Sequence, residues 1–301
     1  MSMTGNTRLR GVYVPLITPF DASGAVAVDV IERLCHEYLD AGAAGIVALG
    51  TTGEYAALDA AERKSVIDAC SRVCSQRSAP LIVGAGTNNT KTSIASVEAL
   101  RDTPGLVATL TVVPYYVRPS ESGIVEHFRH VAKASPVPLV VYNIPYRTGR
   151  VLSAASVLEL AREPNVAGLK QAVGGIDQDT LEILAGAPEG FSVLGGDDAY
   201  LFPTVLMGGQ GAIAASAHVC TERFVAMIEC GLAGKVDEGR AHAEALLPVV
   251  KSLFAEPNPA VIKGVLLAQG RIPTAELRMP MTGASQASVD AALAAIEAAS
   301  L

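Results

Sequence analysis

Lys170 is the residue of this sequence whose type and position most directly suggest chemistry. It stands near the end of Val166–Ala172, a short apolar run typical of a buried strand. Burial lowers the pKa of a lysine from its usual value of about 10.4, and a neutral amine is a nucleophile toward carbonyl carbons. On this segment alone, a lysine at a strand end with its ammonium group in water is the more ordinary interpretation.

A phenol, an alcohol and a guanidinium follow other apolar runs and would complete a working set with this amine. Tyr142 comes after a Val-Val pair, so we expect its hydroxyl at a strand end, where it can act as general acid and base. Thr52 can relay protons to it and hold a carboxylate oxygen, and Arg147 offers a bidentate fork for a second carboxylate. Lys170 would attack a ketone and lose water, and the resulting Schiff base is an electron sink for the neighbouring carbon.

These candidates also have structural interpretations. Thr51 and Thr52 lie beside glycines and could bond backbone groups of a turn. Tyr115 and Tyr116 could be packing residues with only their hydroxyls in water. Arg147 could be a surface arginine in a loop rich in Pro and Gly. Taken singly, these are the more ordinary alternatives.

The proposed chemistry requires no metal and no organic cofactor. The histidines form neither an HxH nor an HExxH pattern; they are His36, His127, His130, His218 and His242. His127 and His130 fall on one predicted helix among polar residues, so we expect both on its solvated face.

Eight apolar runs rich in Val, Ile and Leu must position these side chains. They are Gly11–Phe20, Gly45–Gly50, Pro80–Gly86, Leu106–Pro114, Pro138–Pro145, Val166–Ala172, Phe191–Asp197 and Gly211–Ser216. Most of these runs do not alternate between apolar and polar residues, which is typical of parallel strands buried on both faces. Eight strand–helix units over about 230 residues predict an α/β fold, a (β/α)8 TIM barrel. An open doubly wound sheet is the alternative, but Gly84-Ala-Gly86 does not complete a GxGxxG fingerprint.

Predicted helices lie between the runs, with polar residues at their starts. They include Val28–Ala41, Asp59–Gln76, Ser122–Ala134 and Ser153–Arg162. Ser153 and Thr221 are predicted N-caps. Asp197 and Asp198 are expected to cap the helix that follows them.

The strand rhythm ends before residue 231. The segments Val236–Ala255, Pro259–Gln269 and Gln286–Ala298 are predicted helices. We therefore expect a barrel over residues 1–230 and a C-terminal helical extension over residues 231–301, packed on the barrel as one structural unit.

Composition excludes several classes of function. The chain has 301 residues, half of them hydrophobic, a formal net charge of −7 and no tryptophan. It lacks the basic stripe and stacking aromatics of a nucleic-acid-binding protein and any membrane-spanning run, and we expect no secretory signal at its start. Five cysteines, an odd number, do not indicate a disulfide framework, so we expect a cytoplasmic protein that acts on small molecules. Cys70 and Cys74 belong to a helical apolar face, with a metal pair as the alternative and no nearby His or Cys to complete it.

Several motifs, specific in combination and order, resemble the dihydrodipicolinate synthase / N-acetylneuraminate lyase family. They are Gly50-Thr-Thr-Gly-Glu54, Thr111-Val-Val-Pro-Tyr-Tyr116, Tyr142-Asn-Ile-Pro-Tyr-Arg-Thr-Gly149, Gly168-Leu-Lys170, Gly195-Gly-Asp-Asp198, Glu256-Pro-Asn-Pro259 with Lys263, and Leu277-Arg-Met-Pro-Met281. The likeness covers nearly the whole chain, from about Gly11 to Met281.

The resemblance implies a pyruvate-dependent class I aldolase on a (β/α)8 barrel, usually a homotetramer formed as a dimer of dimers. By position, Lys170 looks like the Schiff-base lysine and Tyr142 like the proton-transfer tyrosine. Thr51 and Thr52 look like the paired threonines beside it. Tyr116 resembles the tyrosine that a neighbouring subunit inserts into the active site.

The substrate positions favour one branch of the family. Ile213 matches the backbone position that contacts pyruvate. Arg147 matches the arginine that, in the synthase branch, binds the carboxylate of aspartate semialdehyde, and the sialate-lyase branch typically lacks it. Two departures weaken the substrate assignment more than the reaction class: Gln171 replaces the usual acidic residue and Val117 a common asparagine.

The family's lysine-feedback pocket, where present, uses a small residue after Gly-Thr-Thr-Gly-Glu and a glutamate near the start of the third helix. Tyr55 and Thr92 stand at these positions here. We therefore expect weak or absent inhibition by lysine.

Two alternatives to the synthase remain open at this point. One keeps Lys170 and Tyr142 but uses another aldehyde, as in sugar-acid aldolases or aromatic hydratase-aldolases. The other is a non-catalytic sensor that binds a keto acid.

Overall fold

Eight parallel strands form a closed barrel in sequence order, with β1 paired to β8. The structure is a computed structural model that describes residues 8–300. The strands are β1 (Gly11–Pro15), β2 (Gly45–Ala48), β3 (Leu81–Gly84), β4 (Leu106–Val112), β5 (Leu139–Asn143), β6 (Val166–Gln171), β7 (Ser192–Gly195) and β8 (Gly211–Ile213). The predicted (β/α)8 barrel is confirmed. Each strand lies inside its predicted run, and the runs extend further because the loops begin with apolar residues.

Helices surround the barrel and continue beyond it. They are α1 (Val28–Asp40), α2 (Ala60–Gln76), α3 (Thr90–Glu98), α4 (Glu121–Ala134), α5 (Pro145–Thr148), α6 (Ala154–Leu160), α7 (Gln178–Gly186), α8 (Leu201–Leu206), α9 (Thr221–Leu232), α10 (Val236–Leu253), α11 (Ala260–Ala268) and α12 (Gln286–Ser300). In the described part of the chain, no helix is both long and apolar enough to cross a membrane. Residues 1–7, which hold most of the segment tested for a secretory signal, lie outside the described residues.

Two predicted helix caps have different outcomes. The Ser153 side chain accepts a hydrogen bond from the Ser156 backbone N–H at 3.3 Å, which confirms it as an N-cap. The prediction for Thr221 is wrong, because Cys220 occupies the N-cap position of α9. The Thr221 hydroxyl instead donates to the Ala217 carbonyl oxygen at 2.7 Å, in the turn before the helix.

His127 corrects the expectation of a solvated face on α4. It is buried, and its Nδ1 atom lies 3.0 Å from Thr90 Oγ1. Positions 124, 127 and 131 share one side of a helix, so His127 joins Ile124 and Val131 on the inward face. Burial lowers the pKa of His127 to about 4. His130 is exposed, as expected.

The expected core cysteines lie where α1 packs against α2. Cys70 and Cys74 are buried free thiols, but a third buried cysteine, Cys35, brings its Sγ within 3.9 Å of Cys70 Sγ. The sequence did not predict this neighbour, because it comes from another helix. Within residues 8–300, no group of three or more His, Cys, Asp or Glu side chains is arranged to hold a metal ion.

The barrel has two separate hydrophobic cores, which explains why apolar and polar residues do not alternate along its strands. One lies between the strands and the helices. The other fills the interior; its buried members are Leu9, Tyr13, Val47, Ile82, Ala108, Leu110, Val140, Tyr142, Ile144, Ala172, Leu194 and Ile213. Both faces of each strand are therefore buried, as in other parallel barrels.

The helices after residue 231 are joined to the barrel by a buried ion pair. Lys263 of α11 is fully buried, and its Nζ lies 2.5 Å from Glu54 Oε1 in the loop after β2. Lys263 also donates to the Glu276 carbonyl oxygen at 2.7 Å, and the Arg278 backbone N–H donates to Glu54 Oε2 at 2.8 Å. Desolvation lowers the pKa of Lys263 even beside its carboxylate. The exact boundary between residues 230 and 231 stays a prediction.

Candidate active site

Lys170 and Tyr142 lie side by side inside the barrel. They are register partners in the β5–β6 pair, so both side chains leave the sheet on the same face. Lys170 Nζ lies 4.4 Å from the centroid of the Tyr142 ring, and both residues are buried. Strand pairing therefore brings together an amine and a phenol that are 28 positions apart in the sequence.

Gly196 leaves room for the stem of Lys170. A Cβ atom at this position would lie 2.8 Å from Lys170 Cε and 2.9 Å from Lys170 Cγ, closer than real side chains approach. A similar requirement holds at Gly168, where a Cβ would lie 2.6 Å from the Ser192 carbonyl oxygen. These contacts give a steric reason for the glycines beside the lysine and after β7.

Asp197 and Asp198 do not cap the following helical turn with their side chains, which corrects the sequence-based expectation. Asp197 Oδ2 accepts from the Gly174 backbone N–H at 2.6 Å, and Asp198 Oδ2 accepts from the Ser216 backbone N–H at 2.5 Å. The two carboxyls thus tie the loop after β7 to the loops after β6 and β8. Burial raises the pKa of both groups, and the nearby charge of Lys170 partly opposes this shift.

His218 holds the loop after β8 to the loop after β1. Its Nε2 accepts from the Ile17 backbone N–H at 3.1 Å, so the ring is neutral there, and Nδ1 donates to the Ala215 carbonyl oxygen at 2.7 Å. Burial lowers the pKa of His218 to about 4. The histidine therefore connects the loops that follow β1 and β8, next to Ile213 at the end of β8.

The two threonines occupy a short 3-10 turn, residues 51–53, directly after β2. Thr52 is buried, and its Oγ1 accepts from Asn258 Nδ2 at 3.0 Å instead of bonding the backbone of its own turn. Thr51 lines a cavity at the carboxyl ends of the strands. In (β/α)8 barrels, this end is where active sites form.

This cavity, called the central cavity below, has a volume of about 450 Å³. Its polar wall includes Thr51, Tyr115, Tyr142, Arg147 and Asn258, and its apolar wall includes Leu110, Val112, Met279, Pro280 and Met281. Lys170, Thr52 and Ile213 are not part of its lining. Each is buried and adjoins residues that line the cavity. Lys170 lies against the ring of Tyr142, and Thr52 bonds the amide of Asn258. Ile213 belongs to the same interior core as Tyr142.

Arg147 lies in α5, the short helix that follows β5, and this exposed residue is part of the lining of the central cavity. Its guanidinium carbon lies 5.6 Å from the centroid of the exposed Tyr146 ring. Among residues 8–300, no carboxylate forms an ion pair with Arg147. Its bidentate fork is therefore available to an anion in the cavity.

Tyr116 is a predicted site residue that neither lines the central cavity nor is buried beside it. It is 88% exposed, in a left-handed backbone conformation with φ of 69°, and the adjacent Val117 is 57% exposed. Tyr115, by contrast, lines the cavity. The tyrosine pair therefore divides, with one ring turned inward and one turned away.

Gln171, a departure from the family pattern, faces away from Lys170 because successive strand residues point to opposite faces. Its Oε1 accepts from Asn143 Nδ2 at 3.0 Å, and its Nε2 donates to Thr180 Oγ1 at 3.0 Å. The amide thus links β5, β6 and α7. This departure changes the outer side of β6 and leaves the central cavity unaltered.

Asn258 is the site residue that sequence reasoning missed. The motif Glu256-Pro-Asn-Pro259 contained it, but it is far along the chain from every other candidate, and a single polar residue between prolines also fits a turn. Only the folded chain places its amide on Thr52.

The fold and the cavity at the carboxyl ends of its strands define a (β/α)8-barrel enzyme. The sequence matches the family model described as the dihydrodipicolinate synthetase family over residues 8–299. This chain belongs to that family.

Individual relatives agree along nearly the full length. A 4-hydroxy-tetrahydrodipicolinate synthase of Neisseria gonorrhoeae is 39% identical over 289 residues, which cover 95% of this chain and 98% of that protein. A solved dihydrodipicolinate synthase from Cyanidioschyzon merolae with lysine bound has a TM-score of 0.92 and 31% identity, covering 97% of this chain and 98% of the other. A structure described as the first monomeric dihydrodipicolinate synthase variant has a TM-score of 0.93 and 30% identity, covering 98% of both chains.

Proposed function

We propose that this protein is a 4-hydroxy-tetrahydrodipicolinate synthase that condenses pyruvate with aspartate semialdehyde through a Schiff base on Lys170. The observation that carries the proposal is the register pairing of Lys170 with Tyr142 beneath a cavity that also presents Arg147. Membership of the dihydrodipicolinate synthetase family and relatives of that name support it.

The chemistry follows from the two buried groups. The amine of Lys170 attacks the keto carbon of pyruvate, and the carbinolamine loses water to give an imine. The protonated imine draws electrons from the adjacent methyl group, which gives up a proton to form an enamine. The enamine carbon then attacks the aldehyde carbon of the second substrate and forms the new carbon–carbon bond, while the aldehyde oxygen takes up a proton to become a hydroxyl. The amino group of the former aspartate semialdehyde attacks the re-formed imine carbon, closes the ring and releases the amine of Lys170. Tyr142 lies beside the amine and moves the protons that these steps release and require.

Arg147 selects the second substrate in this proposal. The carboxylate carbon of aspartate semialdehyde is about three bonds from its reacting carbon, and a bidentate guanidinium is suited to hold this carboxylate. The position of Arg147 on the wall of the central cavity, without a carboxylate partner among the described residues, supports that role. Ile213, at the end of β8, would present its backbone to the pyruvate carboxylate.

We further propose that the protein assembles as a homotetramer formed as a dimer of dimers, with Tyr116 entering the site of a neighbouring subunit. Its 88% exposure beside the exposed Val117 supports an interface at this surface, because exposed apolar patches commonly mark association sites. Light scattering coupled to gel filtration tests the assembly, and a monomer would contradict it.

We also propose a cytoplasmic location, supported by five free cysteines, three of them buried.

Borohydride trapping tests the Schiff base directly. The protein is reduced in the presence of pyruvate, its intact mass is measured, and the modified peptide is identified. We expect one reduced pyruvyl adduct on Lys170 and none with Lys170→Met. Turnover with aspartate semialdehyde is then measured beside a panel of other aldehydes. An adduct with turnover only on another aldehyde would move the protein to a different aldolase activity, and an adduct without turnover on any aldehyde would indicate a keto-acid sensor.

A further inference from the structure

Asn258 carries an amide group from the C-terminal helices to the threonine pair. It lies two residues before α11, and its Nδ2 donates to Thr52 Oγ1 at 3.0 Å. Asn258 also lines the central cavity with Thr51 and Tyr142. The contact exists only when the C-terminal helices are docked on the barrel.

A second contact between the same two segments fixes this amide. Glu54 follows Thr52 by two residues, and it pairs with Lys263, which follows Asn258 by five. The side chains of Lys263 and Glu54 are 0% and 3% exposed. The Lys263 backbone N–H also donates to the Pro259 carbonyl oxygen at 3.0 Å, so the first turn of α11 is bonded to the residue that follows the asparagine. The buried ion pair and the helix start together hold Asn258 against Thr52.

The direction of the hydrogen bond determines what the Thr52 hydroxyl can still do. A threonine hydroxyl has one proton to donate and lone pairs that accept. Because Asn258 donates to Thr52 Oγ1, this contact uses a lone pair and leaves the proton available. Within residues 8–300 the Thr52 side chain makes no other hydrogen bond. Its proton therefore remains free for a group beside the central cavity, which Thr51 and Asn258 line.

We propose that Asn258 is a positioning residue that keeps Thr52 a proton donor toward the central cavity. The inference rests on the proposed function, because the Thr52 proton affects turnover only if Lys170 and Tyr142 carry out the condensation. Asn258 acts through Thr52 and needs no contact with the reacting atoms.

Asn258→Asp tests the direction of the bond at nearly constant shape. An ionised carboxylate can only accept, so it would accept a hydrogen bond from the Thr52 hydroxyl and reverse the direction of the bond. We expect kcat to fall about 10- to 100-fold, with a much smaller change in the KM for pyruvate. We also expect activity of this variant, relative to wild type, to recover as pH falls, because a protonated carboxyl can donate again. Wild-type kcat, or a loss without this pH-dependent recovery, would overturn the proposal.

Asn165→Asp is the matched control for a structural effect. Asn165 Nδ2 donates to the carbonyl oxygens of Ala132, Ser135 and Val137 at 2.8, 3.0 and 3.3 Å, before β6 and far along that strand from Lys170. We expect this variant to lower the Tm and leave kcat unchanged. An equal fall in kcat in both asparagine variants would mean that destabilisation explains the loss, against a positioning role.

A double-mutant cycle with Thr52→Val isolates the coupling. When residue 52 has no hydroxyl, Asn258→Asp should have no further effect on kcat, and an undiminished effect would overturn the proposal. If the aspartate variant does not fold, Asn258→Ala replaces it in the double-mutant cycle with Thr52→Val. Pyruvate trapping by wild type separates the two levels: its absence refutes the proposed function, whereas trapping with kcat insensitive to residue 258 refutes only the positioning role.

Discussion

The backbone of Gly196 lies against the side chain of Lys170, so closely that a Cβ atom would come within 2.8 Å of Lys170 Cε. Gly196→Ala should therefore push the amine away from Tyr142. We expect the rate of borohydride trapping with pyruvate to fall at least about tenfold, and stability to fall by about 1–3 kcal/mol because the interior is overpacked. Gly175→Ala is the control, since a Cβ there meets nothing within 4 Å. Equal trapping rates in the two variants would show that Lys170 does not need this space.

Arg147 gives a prediction that separates binding of the second substrate from Schiff-base formation. Arg147→Ala should lower kcat/KM for aspartate semialdehyde by about a hundredfold or more, because a carboxylate would lose its bidentate partner. Trapping of pyruvate on Lys170 should be unchanged. Arg147→Lys should recover only part of the loss, since an ammonium cannot form the same fork. Normal turnover of aspartate semialdehyde by Arg147→Ala would refute the substrate assignment.

Weak inhibition by lysine is predicted from Tyr55 and Thr92. The guanidinium carbon of Arg63 lies 5.0 Å from the centroid of the Tyr55 ring, so the small residue of lysine-sensitive relatives is replaced here by a ring and a neighbouring cation. Thr92 bonds Asn89 and supplies no carboxylate for an ammonium group. Steady-state assays should show little inhibition at millimolar lysine. Tyr55→Ala combined with Thr92→Glu should increase it, and full inhibition of wild type would contradict the prediction.

The ion pair of Glu54 and Lys263 should matter strongly for folding. Lys263→Met leaves the Glu54 carboxylate buried without its partner, so we expect a loss of about 3–5 kcal/mol in the free energy of unfolding. Adding Glu54→Gln removes that charge and keeps an acceptor for the Arg278 backbone N–H, so part of the stability should return. Urea unfolding at one fixed protein concentration measures both. A double variant no more stable than Lys263→Met would contradict this account.

His218 should make stability depend on pH. Its pKa is about 4 in the folded protein against a usual value of 6.5, so folding favours the neutral ring. The stabilisation from this group is therefore complete above about pH 6.5 and declines as pH falls toward about 4, by up to about 3 kcal/mol. Urea unfolding of wild type and His218→Gln at both ends of this range isolates the effect. The difference between the two proteins should shrink at low pH, and a constant difference would contradict the prediction.

The barrel could be predicted because strands buried on both faces and the lengths between them leave a strong local pattern. The proximity of Lys170 and Tyr142 could also be predicted, since both stand at the ends of neighbouring strands. The position of a residue along its strand indicates at which end of the barrel it lies. Contacts between residues far apart in the sequence leave no comparable pattern. That is why Asn258, Cys35 and the partner of Glu54 emerged only from the fold.

The errors have a common physical cause. Thr221, Asp197 and Asp198 have side chains suited to helix caps, but each bonds a backbone group outside the helix that follows it. Thr221 donates to Ala217 four residues earlier. Asp197 and Asp198 accept from Gly174 and Ser216 in other loops. His127 looks polar in the sequence, yet helical periodicity places it on the inward face. In each case the type of the residue suggested exposure or capping, and its position in the folded chain determined the outcome.

The bond between Glu54 and Lys263 also sets an order of events during translation. The ribosome makes the glutamate 209 residues before the lysine, a delay of about 10–40 s at ordinary elongation rates. Throughout that interval the carboxylate has no ammonium to enter the interior with, and it must remain hydrated. A nascent chain that already holds all eight strands therefore still lacks the ion pair that joins α11 to the loop after β2, and this pair forms only after α11 has emerged.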